Sequence, residues 1–111
     1  MIEAIIPSGA TGLSGEIDLA GNILVAIQMP ATWVSASLTF QASLDGGNTY
    51  GNVFQDDGTE FTLLAVAGIV IVIRTPAEWW HGAKIKIRSG TSATPVDQTA
   101  DRILKLATQM G

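Results

Sequence analysis

Two stretches decide the reading of this chain: Asn22-Ile-Leu-Val-Ala-Ile-Gln-Met-Pro-Ala-Thr-Trp33 and Gly68-Ile-Val-Ile-Val-Ile-Arg-Thr-Pro-Ala-Glu-Trp79. They align without gaps, and five of the twelve positions are identical: Ile23/Ile69, Ile27/Ile73, Pro30/Pro76, Ala31/Ala77 and Trp33/Trp79. Apolar strands match one another by chance, but strand periodicity does not produce a shared Pro-Ala-x-Trp. The second copy carries one extra residue, Trp80, after which Ala36, Leu38 and Phe40 face Ala83, Ile85 and Ile87. The chain therefore reads as an internal duplication, with units at about residues 16–58 and 59–107.

Each unit has a consistent physical reading. Ile23–Ile27 and Ile69–Ile73 are continuous apolar runs, too short for helices and suited to central strands buried on both faces. A proline then ends the strand, because it has no N–H for the ladder. The Ala-x-Trp that follows is expected to make a short turn or a single helical turn, with each indole plugging one end of the core. Strict alternation comes next in Leu38-Thr-Phe-Gln-Ala42 and in Lys84-Ile-Lys-Ile-Arg88, the pattern of half-exposed strands. Weaker strand patterns occupy Ile2–Ile6, Glu16–Leu19, Tyr50–Phe54, Phe61–Ala65 and Ile103–Ala107. Turn residues separate them at Asp45-Gly-Gly-Asn48, Asp56-Asp-Gly58 and Ser89-Gly-Thr91. The expected fold is all-β: an antiparallel β-sandwich, jelly-roll-like, of eight or nine short strands.

A chain of 111 residues has room for one core. The expected organisation is an N-terminal arm with a glycine-rich linker over residues 1–15, followed by a single sandwich domain over 16–111. The arm, an apolar strand before Gly9-Ala-Thr-Gly-Leu-Ser-Gly15, has little evident reason to fold back on its own domain. It is expected to reach a neighbouring subunit and add a strand there. Zero cysteines exclude disulfides and thiolate metal sites. The longest uncharged apolar run, Phe61–Ile73, is too short for a spanning helix, and no basic segment marks the N-terminus as a signal peptide. Charged residues are only 14% against 47% hydrophobic, so either partners cover some of the surface or Ser, Thr, Asn and Gln supply its polarity. All six bases lie from Arg74 onward, whereas residues 1–73 hold seven acids. Either the molecule is an electric dipole or the two groups interleave and pair; the sequence leaves both open.

Motifs for chemistry are thin. Gly9–Gly15 resembles a dinucleotide-binding turn, but the next apolar run begins at Ile23 and leaves no length for the crossover helix. His81 is the only histidine, and no Gly-x-Ser-x-Gly elbow exists. Asp45, Asp56 and Asp57 sit beside glycines, where turn chemistry accounts for them, and the calcium-loop spacing is absent. The chain is therefore expected to be no enzyme and to use no metal or cofactor. Lys84, Lys86 and Arg88 put three cations on one face of a strand, either as a docking stripe or as a plain solvated face. The acidic balance argues against nucleic acid as the partner. The candidate interaction surface comprises Ile2, Ile5, Ile6, Trp80, Lys84, Lys86 and Arg88, with Trp80 the indole expected to be exposed.

Several segments together resemble a family of short uncharacterised proteins of tailed phages and prophages. They are Pro30-Ala-Thr-Trp33, Ala36-Ser-Leu-Thr-Phe-Gln-Ala-Ser43, Asp45-Gly46, Lys86-Ile-Arg-Ser-Gly-Thr91 and Pro95-Val-x-Gln-x-Ala-x-Arg102. The likeness covers about residues 29–107 and implies a virion-structural component without implying any active site. Size, fold and composition then suggest a capsid decoration or cement protein on the outer surface of the virion, made in the bacterial host cytoplasm. Its expected partners are the major capsid protein, itself as a trimer or array, or both, with no nucleic acid and no membrane. The alternatives are a head–tail connector or tail component, or a carbohydrate-binding module using Trp33, Trp79, Trp80 and Tyr50.

Overall fold

A computed structural model describes residues 2–74 and 84–110. Their eight strands are β1 (Ile2–Ile6), β2 (Ile17–Asp18), β3 (Asn22–Gln28), β4 (Leu38–Ser43), β5 (Gly51–Asn52), β6 (Val70–Val72), β7 (Lys84–Ser89) and β8 (Arg102–Met110). Two antiparallel four-stranded sheets pack face to face as a β-sandwich, one in the order β1-β8-β3-β6 and the other β2-β7-β4-β5. The chain changes sheet at every connection except β4 to β5. No helix among the described residues is long and apolar enough to cross a membrane.

Period-two alternation sets the core. Ala4 and Ile6 of β1, Leu104 and Leu106 of β8, and Ile27 of β3 face Phe40 of β4 and Ile85 and Ile87 of β7, all of them essentially inaccessible to solvent. Ile73 is buried with them. Phe61 packs against Phe40 with ring centroids 5.8 Å apart at a tilt of 51°. A bulge between Leu24 and Ala26 in the β3–β8 ladder interrupts the alternation, and Ile23 and Leu24 are both buried beside it.

The register relates the two aligned segments to each other. β3 pairs with β6 so that Ala26 lies opposite Val72, and β4 pairs with β7 so that Phe40 lies opposite Ile87. Both are pairs of positions that the sequence alignment matches. Each ladder thus sets one aligned pair directly face to face, as a local two-fold would require. Burial does not follow that symmetry, since Leu24 is fully buried while its aligned residue Val70 is 56% exposed. The comparison of Trp33 with Trp79 lies outside the described residues. Trp33 itself is half-buried against the core, its indole N–H donating to the Ala36 carbonyl at 3.0 Å.

Three expectations are corrected. First, the apolar arm folds back on its own domain. β1 pairs along its whole length with β8, from Ile2 opposite Leu106 to Ile6 opposite Arg102, because Ala4 and Ile6 complete the core there. Second, the glycine-rich stretch is fastened rather than a free linker. Gly9 N–H donates to Asp97 at 3.0 Å, Ser89 N–H to the Gly12 carbonyl at 2.8 Å, and Ser14 N–H to the Ile87 carbonyl at 2.8 Å. Gly12 has φ +58°, and a Cβ there would lie 2.8 Å from the carbonyl oxygens of both Ser89 and Val96, so the close approach requires glycine. Third, Ile69–Ile73 is not central. β6 is the last strand of its sheet, and Phe61–Ala65 forms no strand: Leu63 makes an isolated bridge with Leu38, and the Phe61 N–H donates to the Val53 carbonyl at 3.0 Å.

Candidate interaction surfaces

The residues proposed as one surface fall into separate regions. Ile2, Ile5 and Ile6 lie on β1, in the sheet opposite the one that carries Lys84, Lys86 and Arg88 on β7. Trp80, like Trp79 and His81, lies outside the described residues. Ile6 is wholly buried, so it belongs to the core and not to a surface. Ile2 is half-buried and packed against the core, and Ile5 is 48% exposed.

The cation stripe also divides. Alternation does place Lys84, Lys86 and Arg88 on the outer face of β7, between Ile85 and Ile87 on the core side. Arg88, however, is not solvated: its side chain is 5% exposed, covered by the segment that carries Glu60. Its Nε donates to Thr39 Oγ1 at 3.1 Å, and Nη1 and Nη2 both donate to Asn52 Oδ1 at 3.0 Å. Glu60 lies 3.6 Å from Nη2 and also accepts the Ser92 N–H at 3.1 Å. Burial pulls the Arg88 pKa below its usual value, and the Glu60 charge opposes that shift. A guanidinium buried among three partner residues is a structural fastener. The partner at position 60 is far away in sequence, and strand periodicity gave no sign of it.

Lys84 and Lys86 join a different cluster. Lys84 Nζ lies 3.3 Å from Glu16 Oε1, and Lys86 Nζ sits 4.4 Å over the centre of the Tyr50 ring. The Tyr50 hydroxyl donates to Glu16 Oε2. Burial, reinforced by the Glu16 hydrogen bond and charge, pushes the phenol up to about 12. The Tyr50 hydrogen bond, with help from Lys84 and Lys86, holds the Glu16 carboxyl below its ordinary range. Asp45 behaves likewise within its turn. It accepts from the Ser43 and Thr49 hydroxyls and from the Thr49 N–H, which together hold its carboxyl far below the usual range. Bases and acids from the two ends of the sequence thus interleave and pair in this sheet, which decides between the two charge arrangements left open.

The outer face of the opposite sheet has a different character. Ile5 on β1 lies directly opposite Ile103 on β8, and the two are 48% and 47% exposed. Beside them Glu3 lies opposite Lys105, and the same row continues to Gln28 and Val70. An open recess of about 210 Å³ borders this face, lined by Glu3, Ala4, Ile5, Gly15, Glu16 and Ile17. Of its two carboxylates, Glu16 is already engaged by the Tyr50 hydroxyl and by Lys84. Among the described residues no group of three or more His, Cys, Asp or Glu side chains could hold a metal.

Comparison with known protein families, with curated proteins and with solved structures finds no match to this chain. The functional reading therefore rests on the surfaces just described and on the resemblance seen in the sequence.

Proposed function

We propose that this chain is a non-enzymatic bacteriophage virion structural protein, a capsid decoration or cement protein that binds the outer surface of the head shell and stabilises it. Made in the host cytoplasm, it would associate with the major capsid protein and with copies of itself. The observation that carries the reading is the exposed Ile5–Ile103 pair beside Glu3 and Lys105. A solvent-facing isoleucine pair leaves apolar area in water, which a docked partner would cover while reading the two adjacent charges for register. The small rigid sandwich and the likeness of residues 29–107 to tailed-phage proteins are consistent with a shell as that partner. An internal duplication belongs to the same reading, supported by the Ala26/Val72 and Phe40/Ile87 pairings.

The test is co-sedimentation of the purified protein with shells assembled from the major capsid protein of the same phage or prophage. Saturable binding is expected, and Ile103→Lys should abolish it. Shells that bind none of the wild-type protein overturn the decoration reading. Binding to connector or tail particles instead would move the protein along the virion, and glycan capture without particle binding would make it a carbohydrate module.

A further inference from the structure

The two sheets end in four edge strands, and three of them are protected against pairing with another chain. β2 and β5 are two residues each, and β2 is flanked by Glu16 and ends in Asp18. β1 carries Glu3 and is followed by Pro7. Charges, prolines and short length are the usual devices that blunt a sheet edge. β6 has neither charge nor proline: no charged residue occurs between Glu60 and Arg74. Val70 and Val72 on it are 56% and 70% exposed, and Ile69 is 39% exposed.

The hydrogen-bond phase of β6 says which groups remain to be paired. Met29 N–H donates to the Ile69 carbonyl at 2.9 Å, and Ile73 N–H donates to the Val25 carbonyl at 3.0 Å. In an antiparallel ladder the bonded positions alternate, so Ile69, Ile71 and Ile73 turn their backbone groups toward β3. The N–H and C=O of Val70 and Val72 therefore point away from it, and among the described residues no strand lies beyond.

We infer that β6 is an isologous dimerisation edge, on which β6 of a second copy of this chain pairs antiparallel about a two-fold axis at Ile71. The geometry fits the segment to itself. With Ile71 on the axis, Val70 of one copy lies opposite Val72 of the other, and both carry the outward-directed groups that a bonded pair needs. The axis keeps core-facing isoleucines on one side and outward valines on the other. Arg74 then falls opposite Gly68, so no like charges meet. The chain itself supplies the precedent, since β6 already pairs antiparallel with β3, the segment that its sequence most resembles. Pairing β6 with the partner's β1 would instead be heterologous and open-ended, and Glu3 and Pro7 guard that edge. The result is one continuous eight-stranded sheet, β1-β8-β3-β6 followed by the same strands of the partner in reverse. This inference deepens the self-association half of the proposed function and depends on no capsid.

Sedimentation velocity of the full-length protein tests it, alongside circular dichroism and thermal melts to monitor the fold. The wild type is expected to sediment as a dimer. Val72→Lys places two ammonium groups at the shared edge, and Val70→Pro removes an N–H that β3 does not use; each should raise the dimer Kd at least about tenfold while the melt of the monomer stays intact. Leu44→Lys, at an 83%-exposed site after β4 of the opposite sheet, should leave the dimer unchanged. A wild-type monomer, or a dimer indifferent to both β6 variants, overturns the edge. A dimer that dissociates in the β6 variants while wild-type protein ignores shells retains the edge and removes only the decoration reading.

Discussion

The side-chain amide of Gln98 pairs with the backbone of Val34 as a neighbouring strand would. Val34 N–H donates to Gln98 Oε1 at 2.7 Å, and Gln98 Nε2 donates back to the Val34 carbonyl at 2.8 Å. Gln98 is wholly buried, and its Nε2 also donates to Ser89 Oγ at 2.7 Å. One glutamine thereby ties the loop after Trp33 to the end of β7 and to the approach to β8. Removing it leaves a buried hydroxyl and two backbone groups to find other partners. Gln98→Ala is expected to cost about 2–3 kcal/mol in urea unfolding, and a loss well under about 1 kcal/mol would mean that water substitutes for the amide.

The divided cation stripe predicts unequal effects along one strand face. Arg88→Ala strands the Glu60 carboxylate and Asn52, and should cost about 3 kcal/mol or more. Lys86→Ala removes only an ammonium resting on an aromatic ring, worth about 0.5–1 kcal/mol at a partly exposed site. Equal losses at the two positions, measured by denaturant unfolding, would contradict the placement of Arg88.

Tyr50 is the only tyrosine, so ultraviolet titration of phenolate reads it alone. The folded midpoint is expected near 12, against about 10 for an unfolded tyrosine. The sign follows from the neutral phenol being the favoured form in the fold. Its contribution to stability is fully present below the unfolded pKa and is lost as pH rises through the folded value. Glu16→Gln should bring the midpoint only part of the way down, because burial is the larger cause. A wild-type midpoint at the unfolded value would place Tyr50 in open solvent.

Gly12 predicts a steric outcome. Gly12→Ala puts a methyl group against two backbone carbonyls in a left-handed conformation, and is expected to destabilise by more than about 1 kcal/mol. Gly15→Ala, where a Cβ meets nothing within 4 Å, is the matched control and should be nearly silent in the same thermal melts.

The sequence was most legible where one strand meets one core. Lys84-Ile-Lys-Ile-Arg88 told its inward side chains apart from its outward ones, and Ile85 and Ile87 are fully buried. Lateral order was not legible. Ile69–Ile73 reads as more deeply buried than β1, yet β6 is an edge and β1 contributes Ala4 and Ile6 to the core. Hydropathy records what a residue would gain by burial, whereas neighbours in a sheet are chosen by chain segments far apart. The same limit hid Arg88, whose exposure is decided by Glu60 and Asn52, and Gln98, which has no local pattern to mark it.

The order β1-β8-β3-β6 has a consequence for how the molecule comes into being. β8 follows every other strand in the chain, yet it lies between β1 and β3 and holds both. On a ribosome, β1 emerges early and waits through about a hundred residues for the strand that pairs with it. Closing so long a loop is entropically costly, and folds dominated by distant pairings form slowly. The Ile5–Ile103 face does not exist until β8 docks, so a nascent or truncated chain would present no such face to a partner. Docking of β8 would itself act as the checkpoint that keeps copies lacking it out of an assembly.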